Sequence, residues 1–176
     1  MSYAEPHVDT PEDAISAMLS LAEVKPGETV IDLGSGDGRI VIAAARDYGA
    51  VALGVEARER LVAESRRRIR ELGLSGRARI IHGDWERLSL RRADVLATFI
   101  SSVTLELLKP KLEKELRPGT RLVNFSFPVL GWDVAKKLEV VPRRWKVPRT
   151  IYLHVVPARL PADSSAVGGS PPAPYP

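Results

Sequence analysis

Three glycines and two aspartates crowd one short stretch of this chain, between an apolar run and an alanine-rich segment. Residues 32–38 read DLGSGDG, with glycine at every second position from Gly34 onward. Glycines in such a loop allow a ligand to lie directly against the backbone, and amides at the start of a following helix donate hydrogen bonds to it. The pattern therefore predicts a ligand-binding loop.

Two more acids follow apolar runs further along the chain. Glu56 comes directly after the run 51–55, and Asp84 follows the run 78–82. Each acid on its own could serve only as a helix-start or turn residue. If the runs are parallel strands, however, their carboxyl ends share one edge of a sheet, and both acids lie near the glycine loop.

The elements that must position these residues alternate between strands and helices. The patterns predict strands at 29–33, 51–55, 78–82, 93–99, 120–127, 138–141 and 150–156. They predict helices from an N-cap at Thr10, at 39–48 and 58–72, and as a pair broken by Pro110 at 103–116. The predicted fold class is α/β and Rossmann-like: a mainly parallel seven-stranded sheet, with an antiparallel last strand and helices on both faces.

Length and composition favour one domain. The chain has 176 residues, of which 44% are apolar, so we expect a single domain over 1–157 and a disordered Pro/Gly/Ser-rich tail over 158–176. Cysteine is absent and the three histidines are far apart in sequence, so no metal site is predicted. No apolar run is long enough for a membrane span and no signal-peptide pattern opens the chain, which predicts a cytoplasmic protein without membrane contact.

The net charge of +4 selects no partner by itself. Arg66, Arg67, Arg68 and Arg70 form a basic run on one predicted helix. Such a run is typical of a solvated or ion-paired face, and less often of a surface for RNA or an acidic partner. Nucleic-acid binding is therefore possible but not indicated.

A dinucleotide or a nucleoside triphosphate is the first competing ligand for the glycine loop. Dinucleotide loops have the spacing G-x-G-x-x-G, whereas this chain has G-x-G-x-G with Arg39 at the sixth position. Asp37 would also face a diphosphate with like charge. The Lys-Ser/Thr of a Walker loop is absent.

The loop and the two later acids together resemble class I S-adenosylmethionine-dependent methyltransferases. The resemblance implies that Glu56 binds the ribose hydroxyls and that Asp84 and its neighbours hold the adenine. It also implies that Asp32 and Asp37 direct negative charge toward the ammonium and sulfonium groups, and that Thr10 is a candidate for the carboxylate. It assigns S-adenosyl-L-methionine binding to Thr10, Asp32, Gly34, Ser35, Gly36, Asp37, Gly38, Glu56, Gly83, Asp84 and Trp85.

Three longer segments indicate which family of methyltransferases the chain resembles. Residues 3–19 (YAEPHVDTPEDAISAML), residues 98–123 and residues 127–132 (FPVLGW) are similar to small archaeal protein-lysine methyltransferases, and the similarity covers about residues 3–156. It implies a minimal domain, expected to be a monomer, that transfers methyl groups to the ε-amines of lysines on protein surfaces with broad specificity.

Methyl transfer to lysine is a direct displacement that needs a neutral amine. At pH 7, deprotonation against a pKa of ~10.4 costs about 4 to 5 kcal/mol. An apolar slot beside a sulfonium would lower the amine pKa by desolvation and like charge. Candidates for that slot and for hydrogen bonds to the amine are Thr98, Phe99, Ile100, Ser101, Phe125, Ser126 and Phe127. No strong catalytic base is identified.

Two other functions remain open from the sequence. A methyltransferase of RNA or of a small molecule is one, although residues 98–101 (TFIS) stand where base-directed amino methyltransferases commonly place an Asp/Asn-Pro-Pro-aromatic motif. The other is a non-catalytic module that binds S-adenosylmethionine. The intact loop and acids argue against it.

Overall fold

Strands and helices alternate along most of the chain, but only a short 3₁₀ turn separates the third strand from the fourth, and no helix separates the last three strands. The computed structural model describes residues 8–158. Its elements are α1 (Glu12–Leu21), β1 (Thr29–Leu33), α2 (Arg39–Asp47), β2 (Val51–Glu56), α3 (Glu59–Glu71), β3 (Ala78–His82), a 3₁₀ turn (Trp85–Arg87), β4 (Val95–Thr98), α4 (Ser102–Glu115), β5 (Arg121–Phe125), β6 (Lys136–Val140) and β7 (Arg149–Val155). All but the first residue of the predicted tail, 158–176, lies outside the described residues, and so does the start of the 3–19 segment.

All the strands join one sheet in the order β3-β2-β1-β4-β5-β7-β6. The pairs from β3 through to β5 are parallel, and β7 pairs antiparallel with both β5 and β6. The predicted fold class is thus confirmed. Strand order reverses between β1 and β4, and in such sheets the ligand site lies at the carboxyl ends of the strands on either side of this point.

Helices cover both faces of the sheet. One apolar cluster joins α1, α2 and α3 to the sheet through residues such as Met18, Val41 and Ile69. A second joins α4 to the opposite face through Leu105 and Leu108. With both faces covered, the central strands are apolar on both sides, which is why β1 reads as a continuous apolar run broken only by Asp32.

Two predictions about the helices were wrong. Thr10 does not cap α1, because the N-cap position is taken by Pro11. Pro110 does not divide α4 into two helices; it lies inside one continuous helix on the exposed side. The carbonyl of Glu106, which loses its partner to Pro110, is on an exposed residue as well, so water can satisfy it.

The FPVLGW segment is held onto the sheet by a buried histidine of β7. His154 Nε2 accepts a hydrogen bond from the Val129 amide at 3.1 Å, and Nδ1 donates to the Asp133 carbonyl at 2.8 Å. This arrangement requires the neutral ring, and burial lowers the pKa of His154. His154 therefore has a structural role in anchoring the connection between β5 and β6.

Two kinds of feature are missing from the described part of the chain. Within residues 8–158, no helix is both long and apolar enough to cross a bilayer. In the same residues, no group of three or more histidine, cysteine, aspartate or glutamate side chains could hold a metal ion.

Candidate active site

The glycine loop connects β1 to α2 and turns sharply at each glycine. Gly34, Gly36 and Gly38 have φ values of 74°, 55° and 80°, in the left-handed region that favours glycine. The amides of Gly34 and Ser35 both donate to the Val55 carbonyl at 2.9 Å, which ties the loop to the end of β2. The alternating glycines are therefore required by the backbone path itself.

Gly38 meets a second constraint, because helix α3 passes directly behind it. A Cβ atom at Gly38 would lie 2.8 Å from Cβ of Ser65, closer than real Cβ contacts. The same crowding occurs at Gly54 of β2, where an added Cβ would lie 2.5 Å from Ser35 Oγ. These two glycines thus allow close packing beneath the loop, while the loop itself faces the cleft.

Glu56 ends β2 beneath the loop and is only 5% exposed. Its Oε2 accepts from the Gly36 amide at 2.9 Å, and its Oε1 accepts from the Arg58 amide at 2.8 Å. Each carboxylate oxygen can accept a further hydrogen bond. Glu56 therefore fixes the loop and still has capacity for a diol.

Asp32 lies at the floor of the cleft with no partner. Its carboxylate is 2% exposed and lines the cleft, and within residues 8–158 it has no hydrogen bond or ion pair. Burial, then repulsion from Glu56 and Asp37, raises the pKa of Asp32 well above its ordinary value. A cationic ligand group would relieve both effects.

Asp37, in contrast, is already neutralised by arginines. Arg39 holds it through two hydrogen bonds of 2.8 Å, and Arg68 adds a 2.6 Å ion pair. Burial raises the pKa of Asp37, but these arginine contacts outweigh it and hold the pKa below its ordinary value. Asp37 thus braces the loop, and little of its charge remains for a bound cation.

A narrow cleft of about 30 Å³ opens above the loop. Buried Thr10 lies in its wall, which Ile40 and Phe99 also line, and a ligand contact of Thr10 stays a prediction. The Thr10 carbonyl accepts a 3.0 Å hydrogen bond from Arg39. The segment ahead of α1 is therefore held across the mouth of the cleft by the arginine that braces Asp37.

Ser35 also lines the cleft, and its contact with the cofactor stays a prediction. Its Oγ is buried against Gly54, with no hydrogen-bond partner. Its side chain therefore packs under the loop, and only its backbone remains available to a ligand.

The predicted adenine-binding residues follow β3, next to Glu56. The Gly83 amide donates to the Glu56 carbonyl at 3.0 Å. Asp84 caps the 3₁₀ turn by accepting from the Glu86 amide at 3.0 Å, and Trp85 is half-buried in that turn. None of the three lines the cleft of the glycine loop, so their contact with adenine stays a prediction.

The acceptor side of the site is an aromatic cluster. Phe99 lines the cleft and packs edge-on against Phe125, with ring centroids 5.1 Å apart. Trp145, from the β6–β7 connection, packs on both rings at 5.8 and 5.5 Å. Phe125 is fully buried behind Phe99, so it supports the wall of the slot and does not face an acceptor. Sequence reasoning did not connect Trp145 with Phe99, because no local pattern links them.

The polar side chains predicted to bind the acceptor amine, at the ends of β4 and β5, already form hydrogen bonds within the protein. Thr98 donates to Asn124 Oδ1 at 2.5 Å, and Asn124 Nδ2 donates to the Phe127 carbonyl at 2.8 Å. Ser101 accepts from the Thr104 amide as the N-cap of α4. These contacts give Thr98 and Ser101 structural roles.

Ile100 and Ser126 complete the predicted acceptor set. Ile100 is buried and lies over the glycine loop, 3.9 Å from where a Cβ of Gly34 would be. Ser126 has φ of 77° and a buried hydroxyl without a hydrogen-bond partner. An acceptor role for either residue stays a prediction.

Comparisons with known proteins agree with this geometry. The family model for the ANTKMT methyltransferase domain matches residues 32–136. A protein-lysine N-methyltransferase of Saccharolobus islandicus (strain REY15A) is 40% identical over 159 residues, which cover 89% of this chain and 98% of that relative. The chain belongs to the ANTKMT methyltransferase family.

Two further relatives of this methyltransferase are informative. The adenine nucleotide translocase lysine N-methyltransferase of Mus musculus is 36% identical over 141 residues, which are 80% of this chain and 61% of the mouse protein. The crystal structure of an RNA methyltransferase from Salinibacter ruber, in complex with S-adenosyl-L-homocysteine, superposes with a TM-score of 0.82 at 32% identity. The match covers 89% of this chain and 98% of that one.

The residues of the cleft fit S-adenosylmethionine. Unpartnered Asp32 suits its cationic end, Glu56 has free acceptor positions for a ribose diol, and the loop exposes backbone where the ligand must approach. The group supplies, when bound, an electrophilic methyl carried by a sulfonium. The methyltransferase family and the S-adenosyl-L-homocysteine complex above establish it as the cofactor.

Proposed function

We propose that this methyltransferase modifies the ε-amine of lysines on the surfaces of many different proteins, and that it acts as a monomer in the cytoplasm. Support for lysine as the acceptor comes from its similarity to the Saccharolobus islandicus enzyme, which extends over 98% of that enzyme. Support for broad specificity comes from the small size of the domain, since almost every described element belongs to the sheet or its covering helices. The absence of cysteine is compatible with a reducing compartment.

The apolar wall on the acceptor side of the cleft explains how the lysine amine can lose its proton without a strong catalytic base. Phe99, backed by Phe125 and Trp145, presents an apolar surface to the cleft. A lysine ammonium placed against that surface loses hydration, which lowers its pKa and favours the neutral nucleophile. Alignment of donor and acceptor then supplies much of the acceleration without a covalent enzyme intermediate. The chain's task is to orient the amine and exclude water.

Methylation of RNA is the second candidate, and similarity to the Salinibacter ruber RNA methyltransferase favours it. Residues 98–101 (TFIS) oppose amino methylation of a base, because the usual Asp/Asn-Pro-Pro-aromatic motif is missing. Thr98 is 1% exposed and bonded to Asn124, so it cannot replace the acidic or amide group of that motif.

Labelling separates these candidates. The purified enzyme is incubated with radiolabelled S-adenosylmethionine and a lysate of its source organism, and labelled bands are analysed by mass spectrometry. We expect methyl groups on lysines of several proteins, and much weaker labelling with Glu56→Ala protein at the same cofactor concentration. Label confined to RNA or to low-mass material contradicts the proposal, and label on one protein alone contradicts broad specificity.

A further inference from the structure

A second pocket lies on the side of the molecule, between α3 and the edge strand β3. It has a volume of about 280 Å³ and is open to solvent. Ile69, Ala78 and Ile80 form its apolar part, and three arginines, Arg66, Arg70 and Arg79, also line it. No residue lines both this pocket and the cofactor cleft.

The charges around this pocket are unbalanced in a way that the rest of α3 is not. On the same helix, Arg60 pairs with Glu64, Arg67 pairs with Glu71, and Arg68 pairs with Asp37. No acidic residue lines the pocket.

The two arginines at its rim stay without partners. The side chains of Arg70 and Arg79 have no hydrogen bond or ion pair within residues 8–158, and both residues are exposed. Like charges held together in this way disfavour folding unless an anion offsets them.

Arg66 fixes the geometry of the site. Its Nε and a terminal nitrogen both donate to the Ile80 carbonyl, at 3.1 and 2.9 Å. This contact covers the open edge of β3 and holds the guanidinium at the pocket wall. Ser75 adds a hydroxyl at the rim.

We propose that this α3–β3 pocket binds a phosphate-bearing ligand. Planar guanidinium groups bind phosphate oxygens through paired hydrogen bonds, so Arg70 and Arg79 would grip the phosphate from two sides above the fixed Arg66. The phosphate could belong to an RNA backbone or to a small free phosphate compound. The site is separate from methyl transfer, so it holds whether the methyl acceptor is a lysine or not.

The test uses two probes, a fluorescently labelled short oligouridylate and inorganic pyrophosphate. Arg70→Gln and Arg79→Gln are each expected to weaken oligouridylate binding about tenfold at low salt, as fits the loss of a charge-assisted hydrogen bond. The salt dependence should flatten by about 1.4 log units per tenfold change in salt in the double variant, since each phosphate contact on a single strand contributes ~0.7. Arg67→Gln is the matched control, because it removes the same charge from the same helix outside the pocket.

The outcomes are distinct. Pyrophosphate that competes with oligouridylate identifies the phosphate group itself as the ligand, and oligouridylate binding without such competition identifies an RNA backbone; both support the site. Loss of affinity in Arg67→Gln equal to that in Arg70→Gln overturns it, as does the failure of both probes to bind. Unchanged affinity for S-adenosyl-L-homocysteine in all variants shows that the fold is intact.

Discussion

The two halves of the active site are built in different ways. The cofactor half uses backbone turns and acids at the ends of β1 and β2, within a short stretch of sequence. The acceptor half uses side chains from β4, β5 and the β6–β7 connection, which only packing brings together. The first half is fixed by conformational demands that few residues meet, whereas the second is an apolar surface that many residues could form. Substitutions should therefore be far more costly in the first half.

The largest effect is expected at Gly38. Gly38→Ala forces a Cβ to within 2.8 Å of Ser65 Cβ at a φ of 80°, which should destabilise the protein by roughly 2–4 kcal/mol. Urea denaturation measures the change. Adding Ser65→Gly removes the atom that clashes and should restore part of the loss. A Gly38→Ala protein as stable as the wild type would show that the loop does not depend on this close approach.

Loss of Glu56 should act on the ligand more than on the fold. Glu56→Ala removes the acceptor of the Gly36 amide together with the predicted ribose contacts, so S-adenosyl-L-homocysteine should bind about 1.5 to 3 kcal/mol more weakly by calorimetry. Glu59→Ala, at the exposed start of α3, is the control and should bind normally. Equal affinities in Glu56→Ala and wild type would remove Glu56 from the site.

Asp32 should make cofactor affinity depend on pH. Because the pKa of Asp32 is raised, the free protein keeps this carboxyl protonated at pH values where an ordinary aspartate, with a pKa of ~3.9, is ionised. A cation binds only the ionised form, so affinity for S-adenosylmethionine should rise up to about tenfold per pH unit until the raised pKa is passed. Asp32→Asn should bind more weakly and lose this slope. A wild-type affinity that does not change with pH anywhere above the ordinary aspartate value of ~3.9 would contradict the assignment.

In the acceptor half, the pH dependence of the methylation rate should report the pKa of the bound lysine amine. At subsaturating acceptor, the wild-type rate should climb roughly tenfold per pH unit with the neutral lysine fraction and level off well below the free-lysine pKa of ~10.4. Phe99→Ala opens the wall to water, so the plateau should move upward by about one unit or less. Thermal melts must accompany this variant, since half-buried Phe99 packs on Phe125 and Trp145 and its loss lowers the stability of the fold as well. Flat profiles in both proteins would reject desolvation as the mechanism.

The smallest effect on stability and affinity is expected at Ser35, which lies in the cofactor half but whose side chain makes no contact in the cleft. Ser35→Ala removes a buried hydroxyl that has no partner, so stability and cofactor affinity should change by less than about 0.5 kcal/mol. Denaturation and calorimetry check both values. A marked loss of affinity would mean that this hydroxyl reaches the ligand after all.

Much of the cofactor half could be predicted because its signals are local. Strands 29–33 and 78–82 were predicted with their observed bounds, since short apolar runs ended by glycine admit few other structures. The role of Asp37 was less predictable. Its partner Arg39 is only two residues away, but its second partner, Arg68, lies on α3. Together these arginines neutralise the carboxylate that the sequence predicted to face a cationic ligand.

What the sequence by itself determined is the order of strands and helices, the glycine loop and the acids beside it, because backbone conformation and burial periodicity act over a few residues. Tertiary structure alone decided which polar groups stay free. Packing left the carboxylate of Asp32 unpartnered while it neutralised Asp37, buried Phe125 behind Phe99, and brought Trp145 to the acceptor wall. Charge and hydration at a given atom depend on every neighbour within a few ångströms, and those neighbours come from distant parts of the chain.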